Sequence, residues 1–239
     1  MIYDLSDLRG FKIYTLNGKI GTAHDFYFSP DDWKVYYLMC DAGYLMTDRI
    51  VIFYKEAIVR IEFENKSIFL NLDKNRILNS PYISSESVVT KLQRKDLHDY
   101  YGWSKYWEKD DHSRKPKKDK DQTPSKPERK NSEIETVDGL NCTREIINQI
   151  ILADSTELGL LKNILMNSNK WDIVYVLIDQ FKAISKKKLV IRPSWIHSFK
   201  GDELKIKLDK DLGDVTAGPH VYGADEITKE TESMLDRVS

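Results

Sequence analysis

The chain has 239 residues, with 37 Lys plus Arg against 38 Asp plus Glu for a formal charge of -1, 41% hydrophobic residues and 31% charged ones. Balanced charge argues against a protein built throughout to hold polyanions, and the length fits one large domain or two small ones. Two cysteines and five scattered histidines make neither a disulfide framework nor a four-ligand zinc site.

The N-terminus carries Asp4 and Asp7 before any apolar run, unlike a secretory signal. Apolar runs such as 35–40 and 146–152 fall far short of the roughly 20 residues a spanning helix needs. A cytoplasmic protein with Cys40 and Cys142 as free thiols is expected. Asn17-Gly18 predicts a turn before a strand over 19–28, and Ser29-Pro30-Asp31-Asp32 a second turn before Trp33. Alternation in 59–64 (Val59, Ile61, Phe63) and 67–72 (Ile68, Leu70, Leu72) predicts two half-buried strands, with Asn65-Lys66 as their turn. Ser84 or Ser85 can cap a helix starting near Glu86 and running through Val88, Val89, Leu92 and Leu97. Tyr100, Tyr101, Trp103, Tyr106 and Trp107 then crowd into eight residues.

From Glu108 to Asn131 there is no aliphatic or aromatic residue, and three prolines interrupt nine basic and six acidic side chains. Such a segment cannot offset the entropy of ordering it, so a mobile, solvated linker is expected rather than a nucleic-acid patch. Beyond it come breaks at Ser155-Thr156, at 167–170 and at Lys200-Gly201-Asp202, and helix-forming composition over Asp225–Arg237.

The segments flanking the linker repeat each other at one fixed offset. Ile20-Gly21 falls on Leu158-Gly159, Trp33 on Trp171, Tyr37 on Tyr175, Asp41 on Asp179, Val51-Ile52-Phe53 on Leu189-Val190-Ile191, and Ile58 on Ile196. A two-residue deletion is expected to bring 70–74 onto 206–210 before Pro81 meets Pro219 at the original offset. Five or six short strands per copy suit a small closed barrel. The predicted fold is mainly β: two small β-barrels from an internal duplication, each followed by a short helical segment. Their boundaries are barrel 1 at 1–83, helix and aromatic tail at 84–107, flexible charged linker at 108–136, barrel 2 at 137–220 and C-terminal helix at 221–239.

Motifs for phosphate binding, zinc proteolysis, dithiol chemistry and serine hydrolysis are all missing, so no catalytic, cofactor or metal residue is assigned. His24, His98, His112, His197 and His220 fall in different elements. Gly21, Gly159, Trp33, Trp171, Asp41 and Asp179 are expected to be structural, the two aspartates accepting hydrogen bonds at the following turn. The aromatic residues Tyr100, Tyr101, Trp103, Tyr106 and Trp107 are the candidate interaction surface. A clasp folded back on its own barrel is the competing reading.

Each copy resembles the PRC-barrel, shared by the H subunit of the photosynthetic reaction centre and the bacterial ribosome-maturation factor. The resemblance rests on DLRGFKIYTLNGKIGTAHDFYF, WKVYYLMCDAG, DRIVIFYKEAI and IFLNLDKNRILNSP in the first copy, and on WDIVYVLIDQ, KKLVIRPSWI and LKIKLDKDLGDVTAGP in the second. LHDYYGWSKYW is similar to the segment after the first barrel in bacterial tandem PRC-barrel proteins. Two departures are the missing glycine near Asp48 and Lys187, and Gln180-Phe181 in place of the Ala42-Gly43 turn. The resemblance implies a non-enzymatic adaptor or scaffold without cofactors that binds a protein partner. A homodimer and peripheral association with a membrane complex stay open, and the near-neutral net charge makes direct nucleic-acid binding unexpected. An accessory role in electron transport and a ribosome or RNA-processing module are the alternatives the resemblance implies.

Overall fold

A computed structural model of the chain describes residues 1–43, 51–81, 83, 91–108, 140–183, 185–200, 205–209 and 211–238. The predicted helix start at Ser84 or Ser85 and the linker beyond Glu108 lie outside the described residues.

The protein is mainly β, with a curled, half-barrel sheet. The first half contributes β1 (Ile2–Asp4), β2 (Lys12–Thr15), β3 (Gly18–Ser29), β4 (Lys34–Asp41), β5 (Val51–Tyr54), β6 (Ile58–Glu62), β7 (Ser67–Leu70) and the helices α1 (Lys74–Leu78) and α2 (Lys91–Tyr101). The second contributes β8 (Asn141–Cys142), α3 (Thr143–Ile146), β9 (Ile150–Ala153), β10 (Thr156–Asn167), β11 (Asp172–Gln180), β12 (Lys188–Ile191), β13 (Ile196–Lys200), β14 (Lys205–Leu208), α4 (Leu212–Thr216), β15 (His220–Val221) and α5 (Lys229–Val238). No described helix is long and apolar enough to cross a membrane.

The same pairings recur at the offset that carries Gly21 onto Gly159. The strand β2 lies antiparallel to β3 and parallel to β7, as β9 does to β10 and β14. Ile13 faces Ile68 where Ile151 faces Ile206, and Ile58 faces Leu70 where Ile196 faces Leu208. The expected two-residue deletion is therefore corrected, because Leu70 corresponds to Leu208 and the offset stays constant. A slip of two positions keeps every side chain on its own face, so alternation could not reveal the error. Asp73 and Asp211, equivalent at the same offset, occupy the N-caps of α1 and α4.

The predicted burial of Val59 is a second correction, since it is 61% exposed. Ile58 pairs with Leu70 and Arg60 with Phe69, which leaves Val59 as the extra residue of a bulge that turns it outward. Ile68, Leu70 and Leu72 are buried as the alternation predicts.

The halves share strands. The strand β1 pairs with β10, Tyr3 opposite Met166 and Asp4 opposite Leu165, while β8 pairs with β3, Asn141 opposite Phe28 and Cys142 opposite Tyr27. Each half thus lends its first strand to the long strand of the other. Between these exchanges, the Trp33 amide donates to Ser29 at 2.8 Å and the Trp171 amide to Asn167 at 2.8 Å, both tryptophans being left-handed with φ of 55° and 61°. The Trp171 carbonyl then accepts from Val35 at 2.8 Å, and the Trp33 carbonyl from Ile173 at 2.7 Å, joining β4 to β11 through Lys34 and Asp172. Buried side chains from both halves form one hydrophobic cluster.

Candidate functional site

The exchanged strands create two buried junctions. At the first, Asp25 on β3 has no solvent exposure and lies beneath the start of the second half. Its carboxylate accepts from the Phe26 amide at 2.9 Å, Cys142 Sγ at 2.8 Å, Thr143 Oγ1, the Arg144 amide at 3.0 Å and Arg9 Nη2 at 3.1 Å. Burial alone would raise its pKa, but the bonds from Cys142 and Thr143 and the Arg9 charge outweigh it and hold the carboxyl below its ordinary value. Burial and the adjacent carboxylate push the Cys142 thiol up, so Cys142 acts here as a donor and not as a nucleophile. Arg144 also reaches His24 Nε2 at 2.7 Å.

At the second junction the roles reverse. Asn163 on β10, the repeat equivalent of Asp25, donates through Nδ2 to Asp4, itself the repeat equivalent of Cys142. Asp4 accepts in addition from the Ser6 amide at 2.9 Å and Ser6 Oγ at 2.7 Å. In the first half the strand supplies the carboxylate; in the second the incoming segment does.

The helices α2 and α5 start at equivalent positions, Lys91 and Lys229, and cover matching faces. Leu97 of α2 and Leu235 of α5 are both buried, again at equivalent positions. On the inner face of α2, His98 is buried against Tyr37 and Tyr54. Its Nδ1 faces the Ser104 carbonyl at 2.8 Å, an acceptor only, so Nδ1 carries the proton and Nε2 accepts from the Tyr37 hydroxyl at 2.8 Å. Burial lowers the His98 pKa to about 4, against support for the charged form from the Ser104 carbonyl and Glu56. Under α5, Tyr175 donates to Glu232 at 3.2 Å and Arg192 pairs with Asp236.

The aromatic residues at the end of α2 and just after it pack onto their own half. Tyr106 stacks on Tyr36 with ring centres 3.8 Å apart, Tyr101 on Trp103 at 4.2 Å, and Trp107 meets His98 edge-on at 4.7 Å. Arg94 donates to the Tyr106 hydroxyl at 2.9 Å. Tyr100 donates to the Arg76 carbonyl at 2.8 Å, and Arg76 returns bonds to the carbonyls of Tyr100 and Tyr101, closing the helix end. Tyr101 is buried and the other four are half-buried, which gives the cluster the geometry of a clasp.

On the matching face of the second half lies a cleft of about 440 Å³, lined among others by Trp33, Val174, Tyr175, Arg192, Glu232 and Asp236. Val174 stands where Tyr36 stands in the first half. No described residue occupies the place that Tyr106 takes there.

The remaining sequence-chosen residues sit at the ends of the long strands. A Cβ on Gly21 would lie 2.1 Å from the Asp41 carbonyl oxygen, and one on Gly159 would lie 2.1 Å from that of Asp179. Both sites therefore admit only glycine, and the aspartate backbone is the reason. The Asp41 side chain accepts from the Gly43 amide at 2.9 Å, closing the turn expected for it. Sequence reading missed Asp25, Asn163, Arg192 and the buried state of His98. The available signal was a charge at an inward strand position, Asp25 between Ala23 and the apolar run Phe26-Tyr27-Phe28, with an amide at the same repeat position. No group of three metal-ligating side chains occurs among the described residues.

Compared with the models of known protein families and with curated proteins, the chain matches none.

Proposed function

We propose that the chain is a non-enzymatic scaffold built from two PRC-type barrels, and that the second-half cleft receives a segment of a protein partner carrying an aromatic side chain. The observation that carries this reading is the unequal covering of two matching faces. In the first half Tyr106 seats on Tyr36 as an aromatic ligand supplied by the chain itself, while the cleft beside Trp33 and Tyr175 has room for a comparable group. The buried reactive side chains support a binding role: Cys142 is a donor to Asp25, and His98 is neutral between Tyr37 and Ser104.

Affinity capture from native lysate with mass spectrometry tests it, comparing the whole chain with Val174→Arg, which fills the cleft. The expected result is a partner retained by the parent and lost by the variant, with thermal unfolding unchanged. Capture of the same partners by both proteins would remove the cleft from the proposal, and turnover of a small molecule by the purified chain would end the scaffold reading.

A further inference from the structure

The hairpin joining β11 to β12 departs from its first-half counterpart in both charge and apolar character. Phe181 replaces Gly43, and Lys182, Lys186 and Lys187 stand where the first half has Tyr44, Asp48 and Arg49. Phe181 is 52% exposed, and Tyr222, one residue past β15, is 56% exposed. The two belong to one rim. Lys188 pairs with Val221 across β12 and β15, Lys187 Nζ lies 5.3 Å from the Tyr222 ring centre, and Gln180 bonds to His220 at 2.8 Å. The Phe181 backbone is held by its amide bond to Leu158 at 3.1 Å, so the ring projects from a fixed base.

None of these three lysines makes an ion pair among the described residues. The carboxylates on neighbouring elements are Glu157 on β10, Asp179 at the end of β11, Asp225, and Glu226, whose side chain is tied back to the Tyr222 amide at 2.9 Å. The Lys188 charge acts on Asp7, so Lys188 is left out of the rim charge.

We propose that this rim docks the protein on an anionic lipid surface, Phe181 entering the acyl boundary, Tyr222 lying at headgroup level and the lysines meeting the acidic headgroups. An exposed aromatic anchor beside point charges on flexible stems suits a fluid array of headgroups. A nucleic-acid site is less well matched, because one side of the Tyr222 ring already faces Lys187 and the hairpin contains no arginine to fork onto a phosphate.

The test is co-sedimentation of the full chain with vesicles of phosphatidylcholine alone and with 30% phosphatidylserine, at low and high salt. A lysine near such a surface contributes about fivefold in partitioning, so binding to the acidic vesicles is expected to be at least about tenfold tighter and to vanish at high salt. Lys182→Glu/Lys186→Glu/Lys187→Glu should abolish it. Phe181→Ser/Tyr222→Ser should weaken it severalfold while leaving the salt dependence. Should the charge-reversed protein fold poorly, the triple Lys→Gln variant gives the same comparison. Equal retention on both vesicle types, unchanged binding by the lysine variants, or tighter binding to a single-stranded oligonucleotide than to acidic vesicles would overturn the proposal.

Discussion

At one junction the strand carboxylate of Asp25 receives the thiol of Cys142, and at its counterpart the strand amide of Asn163 reaches the carboxylate of Asp4. Backbone pairing is the same at both, yet donor and acceptor have changed places. Putting two first halves together by this exchange would set Asp4 against Asp25, two carboxylates in a dry site. Putting two second halves together would set Cys142 against Asn163 and lose both carboxylates. Only unlike halves give every carboxylate a donor, so the junction chemistry selects the pairing that a single chain contains. The helix faces show a similar divergence: His98 of α2 is neutral and buried, whereas Asp236 at the equivalent place in α5 meets Arg192 near solvent.

The sharpest way to break the comparison is to remove each carboxylate in turn. Asp25→Ala leaves the Cys142 and Thr143 donors without their acceptor and the Arg9 guanidinium without its carboxylate, Thr143 Oγ1 at 3.2 Å remaining to it, and should cost about 3–5 kcal/mol in denaturant unfolding. Asp4→Ala forfeits a smaller set of bonds and should cost about 1–2 kcal/mol. Equal losses would show that the Arg9-centred network is not what separates the junctions. Acid sharpens the same point. The Asp25 pKa is lower folded than unfolded, so its contribution is present above its ordinary value of 3.8 and is lost as the pH falls through the lowered folded value.

His98 governs a different pH window. Its folded pKa of about 4 lies below the ordinary 6.5, so between these values the unfolded chain binds more protons and stability falls as the pH drops. The difference corresponds to about 3 kcal/mol lost across that interval. His98→Gln should flatten the stability profile between pH 6.5 and 4 while leaving the loss at lower pH to which Asp25 contributes. A profile with its slope intact would remove His98 as its origin.

Much of this layout is legible in the chain, and what is not has a physical cause. Gly21 stands out with Gly159 because a close carbonyl excludes any Cβ, whereas Trp33 with Trp171 and Asp41 with Asp179 stand out as identical residue types at one offset. Asp25 and Asn163 escape notice because the exchange lets either partner carry the carboxylate, so the repeat positions differ in residue type while serving one function. The strand exchange itself is hidden for another reason: β1 and β8 are two to three residues long, too short for periodicity to assign a partner. Alternation misplaces Val59 because a single bulge inverts the faces it predicts.

An intermediate effect is expected from altering the second junction alone. Asn163→Asp places a carboxylate against Asp4 and should cost about 2 kcal/mol near neutral pH, by like-charge repulsion and loss of a donor. Adding Asp4→Asn restores a donor facing an acceptor with the roles of the first junction. The double variant should regain most of the loss in thermal unfolding, and failure to do so would mean that the residue at position 4 is set by Ser6 rather than by the partner strand.

The smallest effect is predicted where the two helices differ most. Asp236 pairs with Arg192 at the edge of the cleft, with its side chain two-thirds exposed. Water and salt screen such a pair, so Asp236→Ala should change stability by about 0–1 kcal/mol. At the equivalent position in α2, His98→Ala removes a buried ring from Tyr37, Tyr54 and Ser104 and should cost several times more. Measured side by side, the two substitutions show whether the helices contribute through the shared apolar contact of Leu97 and Leu235 or through the polar groups beside it. Losses of similar size would assign the α5 ion pair a stabilising role that its exposure argues against, and would make the cleft wall more rigid than an exposed ion pair implies.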